Sequence, residues 1–166
     1  MALEPGTDAE SGASASEHFI ELEQYRNIIL TVPTLCVDLV IRSSAGKFLL
    51  AKRKNQPLQG LFWTIGGRVH RGETVEVAAR RKAREELGIE LQKLDLIGIY
   101  EDFYDRNTLG MEAPYHTLSV VFETVVDEAS PIRLDQQHSA WTYADGLPER
   151  FVIRPFWGMV APGRRE

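Results

Sequence analysis

Hydrophobic and polar residues alternate along the segment 34–43, TLCVDLVIRS, in the manner of a β-strand. Val37, Leu39 and Ile41 recur at every second position, so they point to one face, while Asp38 points to the other. Further β-rich runs occur at 47–54, 61–67, 96–106, 116–126 and 139–145. The glycine-containing turn between the first two runs predicts that they form a hairpin.

A helical period governs residues 74–87. Apolar side chains recur there at every fourth position, at Val75, Ala79, Ala83 and Leu87. This spacing is typical of a helix with a narrow buried stripe, and Gly88 supplies a stop directly after the last turn. The small alanines would let the helix lie close to a sheet.

The two ends of the chain have weaker patterns. Residues 1–16 are small and polar and predict a flexible tail ahead of a single domain at 17–166. The segment 17–30 has apolar residues at helical spacing. Near the C-terminus, 150–160 favours a helix packed through Phe151, Phe156 and Trp157. Strands, one long helix, more strands and helical ends predict an α/β sandwich with a mixed sheet.

Composition narrows the possible functions. The 166 residues are 43% apolar and 26% charged, ordinary values for a soluble globular domain. The net charge of −5 argues against binding to nucleic acid or an anionic membrane, so an anionic substrate would need a local cluster of arginines. No apolar run approaches the roughly 20 residues that cross a bilayer, and no signal peptide is apparent. The single cysteine, Cys36, excludes an internal disulfide, and a cytoplasmic enzyme is expected.

Three charged residues project from one side of the predicted helix, because Lys82, Glu85 and Glu86 are three and four positions apart. Two carboxylates beside a glycine-rich turn suit Mg²⁺, which prefers oxygen ligands and substrate phosphates. The alternative is a solvated face on which Lys82 pairs with Glu86, and Arg81 with Glu85, for roughly a few tenths of a kcal/mol each. The helix alone leaves both interpretations open.

The loop before the helix adds further fixed spacings. A motif of glycine, five residues, glutamate, seven residues, arginine and an acidic helix end is matched by Gly67, Glu73, Arg81, Ala83, Glu85, Glu86, Gly88 and Ile89. In this motif the chain resembles the Nudix hydrolases, and the resemblance covers most of residues 33–145. It implies a Nudix-type α/β/α sandwich with a central mixed sheet, and Mg²⁺ or Mn²⁺ as the cofactor. Within the motif, Glu73 and Arg81 are expected to pair and to fix the junction between loop and helix; the alternative is that they contact the ligand directly.

Lys82 departs from the family pattern, which has a glutamate there that helps to bind a catalytic metal cluster. A protonated lysine cannot ligate Mg²⁺ and would repel a second metal ion. One branch, the GDP-mannose mannosyl hydrolases, lacks the same acid, and the chain resembles that branch in FLLAKRKNQPLQGLFW, GGRV, DFYDRN and LDQQH. The resemblance implies that water attacks the anomeric carbon of a nucleotide sugar, GDP-mannose or GDP-glucose, while one metal ion supports the departing diphosphate.

Candidate metal ligands and a general base follow from the same resemblance. It implies that Glu86, Gln137 and the backbone carbonyl of Gly66 hold the Mg²⁺, with Glu85 an additional acid of the metal site whose role is open. His138 takes the place of the general base, for which an imidazole has a suitable pKa. The alternative for His138 is an ordinary histidine of a surface loop.

Two arginines and two other polar residues complete the candidate set. Arg53 and Arg68 flank the glycine turn and are expected to clamp diphosphate oxygens in binding and catalysis, unless they are ordinary surface cations. Asp38 interrupts an apolar strand, so it needs a partner. The resemblance implies the sugar hydroxyls as that partner, and the alternative is a buried arginine. Tyr104, in DFYDRN, matches a tyrosine of the branch, which implies that it reaches the leaving phosphate; the alternative is an aromatic residue at the edge of the sheet.

Two other activities stay open from the sequence. The first is a conventional Nudix pyrophosphatase that cuts between the phosphates of a nucleotide sugar or dinucleotide, which Glu85 and Glu86 favour and Lys82 opposes. The second is a Nudix-like module that binds a nucleotide without turnover. The branch implies a homodimer, and the identity of the base and the sugar is not legible in the residues.

Overall fold

A computed structural model describes residues 20–111 and 113–155 of the chain. Within these residues there are two helices, α1 (Leu22–Thr31) and α2 (Val75–Leu87), neither of them long and apolar enough to cross a bilayer. The strands are β1 (Thr34–Ser43), β2 (Phe48–Arg53), β3 (Phe62–Trp63), β4 (Ile65–Arg68), β5 (Asp95–Tyr104), β6 (Tyr115–Val126) and β7 (His138–Ala144). The predicted tail at 1–16 lies outside the described residues.

The strands form one mixed sheet around β1. Strand β1 pairs in parallel with β6 along its whole length, and antiparallel with β4 and β2 on its other side. The order is β3-β2-β1-β6-β5, with β4 added beside β1 and β7 beside β2. This arrangement confirms the predicted α/β fold with a central mixed sheet. Because β4 pairs with the first half of β1, the glycine turn that leads to α2 lies directly beside this strand.

Helix α2 carries the local signals that its sequence predicts. The side-chain oxygen of Thr74 accepts a hydrogen bond from the amide of Val77, so Thr74 is the N-cap rather than the first helical residue. Gly88 adopts a left-handed φ of 68°, and its amide donates to the carbonyls of Ala83 and Arg84. The helix therefore ends where the sequence places its end.

The buried stripe of α2 packs against one face of β1. The main hydrophobic core includes Ala79, Ala83 and Leu87 from the helix and Val37, Leu39 and Ile41 from the strand. Each of these six side chains is at most 1% exposed, which confirms the alternation predicted for β1 and the stripe predicted for α2. The intervening residues Cys36, Asp38 and Val40 therefore point to the opposite face of the sheet.

The run at 61–67, predicted as one strand, forms two. Strand β3 pairs with β2, whereas β4 pairs with β1, so the chain changes partner at Thr64. The hydroxyl of Thr64 donates to Oδ1 of Asp38 at 2.7 Å. This bond fixes the crossing point and gives the buried acid of β1 a partner.

The predicted C-terminal helix is wrong for the residues that the structure describes. Residues 151–155 are not helical, and the backbone of Arg154 forms a bridge with Ile99 of β5. Proline at position 155 disfavours a helical conformation of the preceding residue. Phe151 nevertheless packs, in a second core cluster with Val40, Trp63, Tyr100 and Val121. Phe156 and Trp157 lie outside the described residues.

Candidate active site

A cavity of about 410 Å³ lies beside the first half of β1. Its walls come from β1, β4, β6, both helices, and the segments that follow β2 and β5 and begin β7. The charged residues that line it are Asp38, Arg53, Arg68, Arg81, Lys82 and Glu86. Cations outnumber acids in this lining although the chain as a whole carries −5, so the cavity suits an anionic ligand.

Glu86 is a buried acid in the helical wall of the cavity. Its Oε1 lies 2.6 Å from Nζ of Lys82, and its Oε2 lies 4.0 Å from Nε2 of His138. Burial raises the pKa of Glu86, and the ammonium of Lys82 opposes that shift. The predicted pair of Lys82 and Glu86 therefore forms, but it faces the cavity instead of solvent.

His138 begins β7, and its side chain is 3% exposed. Its Nδ1 lies 2.8 Å from Oδ1 of Asp135, while Nε2 is the nitrogen nearer to Glu86. A carboxylate on one ring nitrogen fixes the orientation of the imidazole and leaves the other nitrogen for a substrate or water. A buried imidazole held by a partly buried carboxylate is unlike a histidine of a surface loop. Asp135 was not predicted, although an acid three residues before the histidine is visible in LDQQH.

Arg81 ties the glycine-rich loop to α2. Its Nε and Nη2 contact the two carboxylate oxygens of Glu73 at 2.7 and 3.0 Å, and Nη2 also donates to the carbonyl of Arg68 at 3.0 Å. Burial opposes ionisation of Glu73, but hydrogen bonds from Arg81 and from the amide of His70 outweigh it and lower the pKa of Glu73. The predicted pairing of Glu73 with Arg81 is confirmed.

Replacing Glu73 by glutamine is expected to lower the free energy of unfolding by about 2 kcal/mol at pH 7, because a charge-assisted bond to a largely buried arginine is lost. The pKa of Glu73 is lowered in the folded state, so its stabilising effect is lost as the pH falls through that pKa. Urea unfolding of both proteins between pH 3 and 7 should therefore show curves that converge in acid. The control is Glu90→Gln. Glu90 follows α2 and forms an exposed ion pair with Arg84 of that helix, so its loss should not change the free energy of unfolding measurably. A constant difference at all pH values would contradict the electrostatic explanation.

Arg53 and Arg68 both line the cavity. Nε of Arg53 donates to the carbonyl of Pro57 at 2.9 Å, and Arg53 lies opposite His138 in the pairing of β2 with β7. The guanidinium of Arg68 lies 4.7 Å from the ring centre of Tyr25 in α1. These contacts hold each guanidinium and leave it further N–H donors for an anion.

Asp38 projects from the cavity face of β1. Burial raises the pKa of its carboxyl to about 6, and hydrogen bonds from Ser119 and Thr64 oppose that shift. Its partners within the protein are thus hydroxyl groups, not the buried arginine that the sequence offered as one alternative. Tyr104 also lines the cavity, where it stacks against Tyr115 with ring centres 6.1 Å apart.

Glu86, Gln137 and Gly66, the three expected metal ligands, all line this cavity. A carboxylate, an amide oxygen and a peptide carbonyl are the kinds of donor that Mg²⁺ and Mn²⁺ accept, so the set fits a single hard cation. A Cβ at position 66 would overlap the carbonyl oxygen of Val37, so only glycine lets β4 run this close to β1. Among the residues that the structure places, no three His, Cys, Asp or Glu side chains come together as a metal cluster.

Glu85, the fourth expected ligand, is held outside the cavity lining. Its Oε2 lies 3.0 Å from Nη1 of Arg81 and 3.3 Å from Nζ of Lys82, and its side chain is 47% exposed. The structure therefore gives no support to a metal-binding role for Glu85. Its position makes it a counter-ion for two neighbouring cations of α2.

Tyr25 and Thr108 are cavity residues that sequence reasoning missed. The Tyr25 hydroxyl lies 2.8 Å from Oγ1 of Thr108, which joins α1 to the loop after β5. Tyr25 is one of the apolar residues at helical spacing in the segment 17–30, and nothing in the sequence connects it to a loop 83 positions away.

The family model of the NUDIX domain matches residues 32–151. The chain belongs to the Nudix family. It is 36% identical over 117 residues to the low-salt glycan biosynthesis protein Agl8 of Haloferax volcanii, covering 70% of this chain and 74% of that protein. It is 39% identical over 102 residues to the ADP-ribose pyrophosphatase of Methanocaldococcus jannaschii, covering 61% of this chain and 55%, about half, of that protein.

A solved Nudix structure agrees with this assignment. The MutT NUDIX hydrolase from Burkholderia pseudomallei matches with a TM-score of 0.59 and 28% identity, covering 73% of this chain and 91% of that one. The Nudix fold expected from the motif around α2 is confirmed by this likeness and by the family match.

Proposed function

We propose that this Nudix hydrolase cleaves a nucleotide sugar, GDP-mannose or GDP-glucose, into a nucleoside diphosphate and the free sugar. The observation that carries the proposal is the contact of buried His138 with the partly buried Asp135, since the imidazole lines the same cavity as Glu86 and Lys82. An oriented imidazole can take the proton of the attacking water, so the reaction does not need a metal ion to generate hydroxide. The lysine in the helical wall leaves the cavity with too few acids for a metal cluster.

The proposed reaction is a substitution at carbon. The oxygen of a water molecule attacks the anomeric carbon, and the bond between that carbon and the phosphate oxygen breaks. The electron pair of the broken bond stays on the nucleoside diphosphate, and Nε2 of His138 takes the proton of the water. Asp135 holds the ring through Nδ1 and stabilises the imidazolium that forms.

The remaining cavity residues have binding roles in this proposal. Arg53 and Arg68 donate hydrogen bonds to the diphosphate, for which a guanidinium has the right donor geometry. The carboxylate of Asp38, and the lone pairs of the Thr64 and Ser119 hydroxyls that donate to it, offer acceptors to sugar hydroxyls. Tyr104 shapes the cavity wall next to them.

The proposed metal site uses Glu86, Gln137 and the carbonyl of Gly66. When bound there, one Mg²⁺ or Mn²⁺ would supply positive charge to the departing diphosphate. Glu86 brings the only carboxylate of this set, and it is buried between α2 and the start of β7. Glu85 is assigned no ligand role.

The similarity to known proteins supports a substrate of this general kind. The relative named for glycan biosynthesis fits a substrate that contains a sugar. The relative named as an ADP-ribose pyrophosphatase favours a second candidate, hydrolysis between the two phosphates. The two candidates differ in the bond that breaks, so product analysis separates them.

Incubation of GDP-mannose with the protein and Mg²⁺ in H₂¹⁸O is expected to give GDP and mannose. Attack at carbon puts the water oxygen on the sugar, so the β-phosphorus resonance of GDP in ³¹P NMR should show no isotope shift. A preparation heated to unfold the protein serves as the control for spontaneous hydrolysis. GDP-glucose and ADP-ribose, incubated in parallel, report on the choice of sugar and base.

Other products would contradict the proposal in distinct ways. GMP with mannose 1-phosphate would identify the conventional pyrophosphatase. An ¹⁸O shift on the β-phosphorus of GDP would place the attack at phosphorus. Absence of turnover on every compound would favour a module that binds nucleotides without hydrolysing them.

A further inference from the structure

Lys82 is the lysine whose side chain is buried in the part of the chain that the structure describes. Its side chain is 11% exposed and lines the cavity, and its Nζ lies 2.6 Å from Oε1 of Glu86. A buried ammonium needs a partner, and Glu86 is the nearest one. The oxygen that Glu86 offers to Lys82 belongs to the same carboxylate that is proposed to hold the metal ion.

The surroundings of Lys82 allow its ammonium a second position. Gly67 leaves the space that the lysine stem occupies, because a Cβ there would lie 2.8 Å from Cε of Lys82. Oε2 of Glu85 also attracts Nζ, at 3.3 Å, but the same oxygen accepts a hydrogen bond from Nη1 of Arg81 at 3.0 Å. The ammonium therefore has one strong partner, one shared partner and an open cavity in front of it.

The charges around the cavity decide where that ammonium goes once Glu86 is taken. A divalent ion bound to Glu86 would repel an ammonium bonded to the same carboxylate, since unit charges about 4 Å apart interact by several kcal/mol in a partly buried site. Arg53 and Arg68 draw an anion into the same space. A diphosphate bound there would be the nearest new partner for Nζ.

We propose that Lys82 and a divalent cation compete for Glu86, and that the ammonium so released becomes a third cationic ligand of the substrate diphosphate. The inference rests on the proposed function for the identity of the anion. Lys82 is then a substrate-binding residue whose availability depends on the metal, and metal and nucleotide bind cooperatively through it. This assignment does not change the proposed bond cleavage or the role of His138 as the base.

The test compares Lys82→Met with the wild-type full chain by calorimetric titration of Mn²⁺ and of GDP. Methionine keeps the unbranched stem and removes the charge, so Mn²⁺ should bind about tenfold more tightly in the variant. GDP should bind about tenfold more weakly than to wild type when Mn²⁺ is present, and within twofold of wild type in EDTA. Arg84→Met removes an exposed cation of the same helix and is the matched control, for which neither affinity should change.

Three results would overturn the inference. Equal Mn²⁺ affinity of the two proteins would show that Lys82 does not compete for Glu86. Equal GDP affinity with Mn²⁺ present would show that the ammonium does not contact the diphosphate. A loss of GDP affinity of the same size in EDTA would show a structural effect instead of a metal-dependent one.

A measurement on the unmodified protein covers the case in which Lys82→Met does not fold. Lysine ¹⁵Nζ NMR of the wild type should show the Lys82 resonance move when Mg²⁺ is added and move again with GDP. A resonance unmoved by either addition would overturn the inference. Neither experiment uses turnover, so a protein that leaves GDP-mannose intact would refute the proposed function alone, and the titrations would still decide the role of Lys82.

Discussion

Replacing His138 by glutamine is expected to lower kcat on GDP-mannose by about a thousandfold, the usual scale of a lost general base. Glutamine keeps a hydrogen-bonding side chain of similar reach but cannot take a proton from water. Binding of GDP should stay within twofold of wild type, because Arg53 and Arg68 remain in place. Steady-state kinetics and calorimetric titration of GDP measure the two quantities separately.

Asp135→Asn gives this prediction a graded companion. It removes the carboxylate that orients the imidazole and stabilises its protonated form, so kcat should fall as well, by no more than it falls on loss of His138 itself. His116→Gln is the matched control, since that histidine lies on β6 and pairs with Glu101 outside the cavity lining. Turnover that is indifferent to the loss of His138 would remove the general-base assignment.

Replacing Asp38 by asparagine is expected to stabilise the protein at pH 7 by about 2 kcal/mol. The folded state raises the pKa of this carboxyl from 3.8 to about 6, so its ionised form is disfavoured by roughly 1.4 kcal/mol for each unit. An amide offers a single oxygen acceptor to the hydroxyls of Thr64 and Ser119, which offsets part of the gain.

The pH dependence gives the sign of this effect. A raised pKa in the folded state means that Asp38 favours folding below pH 4 and that this contribution is lost as the pH rises through about 6. Urea unfolding in EDTA should show Asp38→Asn more stable than wild type at pH 7 and indistinguishable from it near pH 3.5. Asp95→Asn, an exposed position paired with Lys93, is the control and should follow wild type throughout. A variant less stable than wild type at pH 7 would contradict the prediction.

The elements in which apolar residues recur at regular spacing were predictable from the sequence, because that spacing alone marks the buried face of a helix or strand. The stripe of α2 and the alternation of β1 meet in one core, so each pattern alone identified the correct buried face. The division of 61–67 into β3 and β4 was not visible, because it depends on which strand each half pairs with. The extended C-terminal segment depends in the same way on a bridge between Arg154 and Ile99.

The candidate site also has features that the sequence predicted and features that depend on tertiary packing. The spacing of Glu73 and Arg81 identified a junction that the structure confirms in detail. The environment of the charged residues was not predictable, because the exposure of Lys82 and the distance of Glu85 from the cavity follow from how α2 lies on β4. Sequence spacing gives the same i,i+4 pair whether it faces solvent or a substrate. The homodimer and the cytoplasmic location stay predictions.

Neighbouring side chains of strand β1 point to opposite faces of the sheet and have different roles. Val37, Leu39 and Ile41 hold the helix, while Cys36 and Asp38 border the ligand space. Substitutions at Cys36 or Asp38 can therefore alter which sugar is accepted without loosening the packing against α2. Substitutions at Val37, Leu39 or Ile41 lower stability before they touch recognition. A library restricted to Cys36 and Asp38 is accordingly the economical starting point for changing substrate preference in this scaffold.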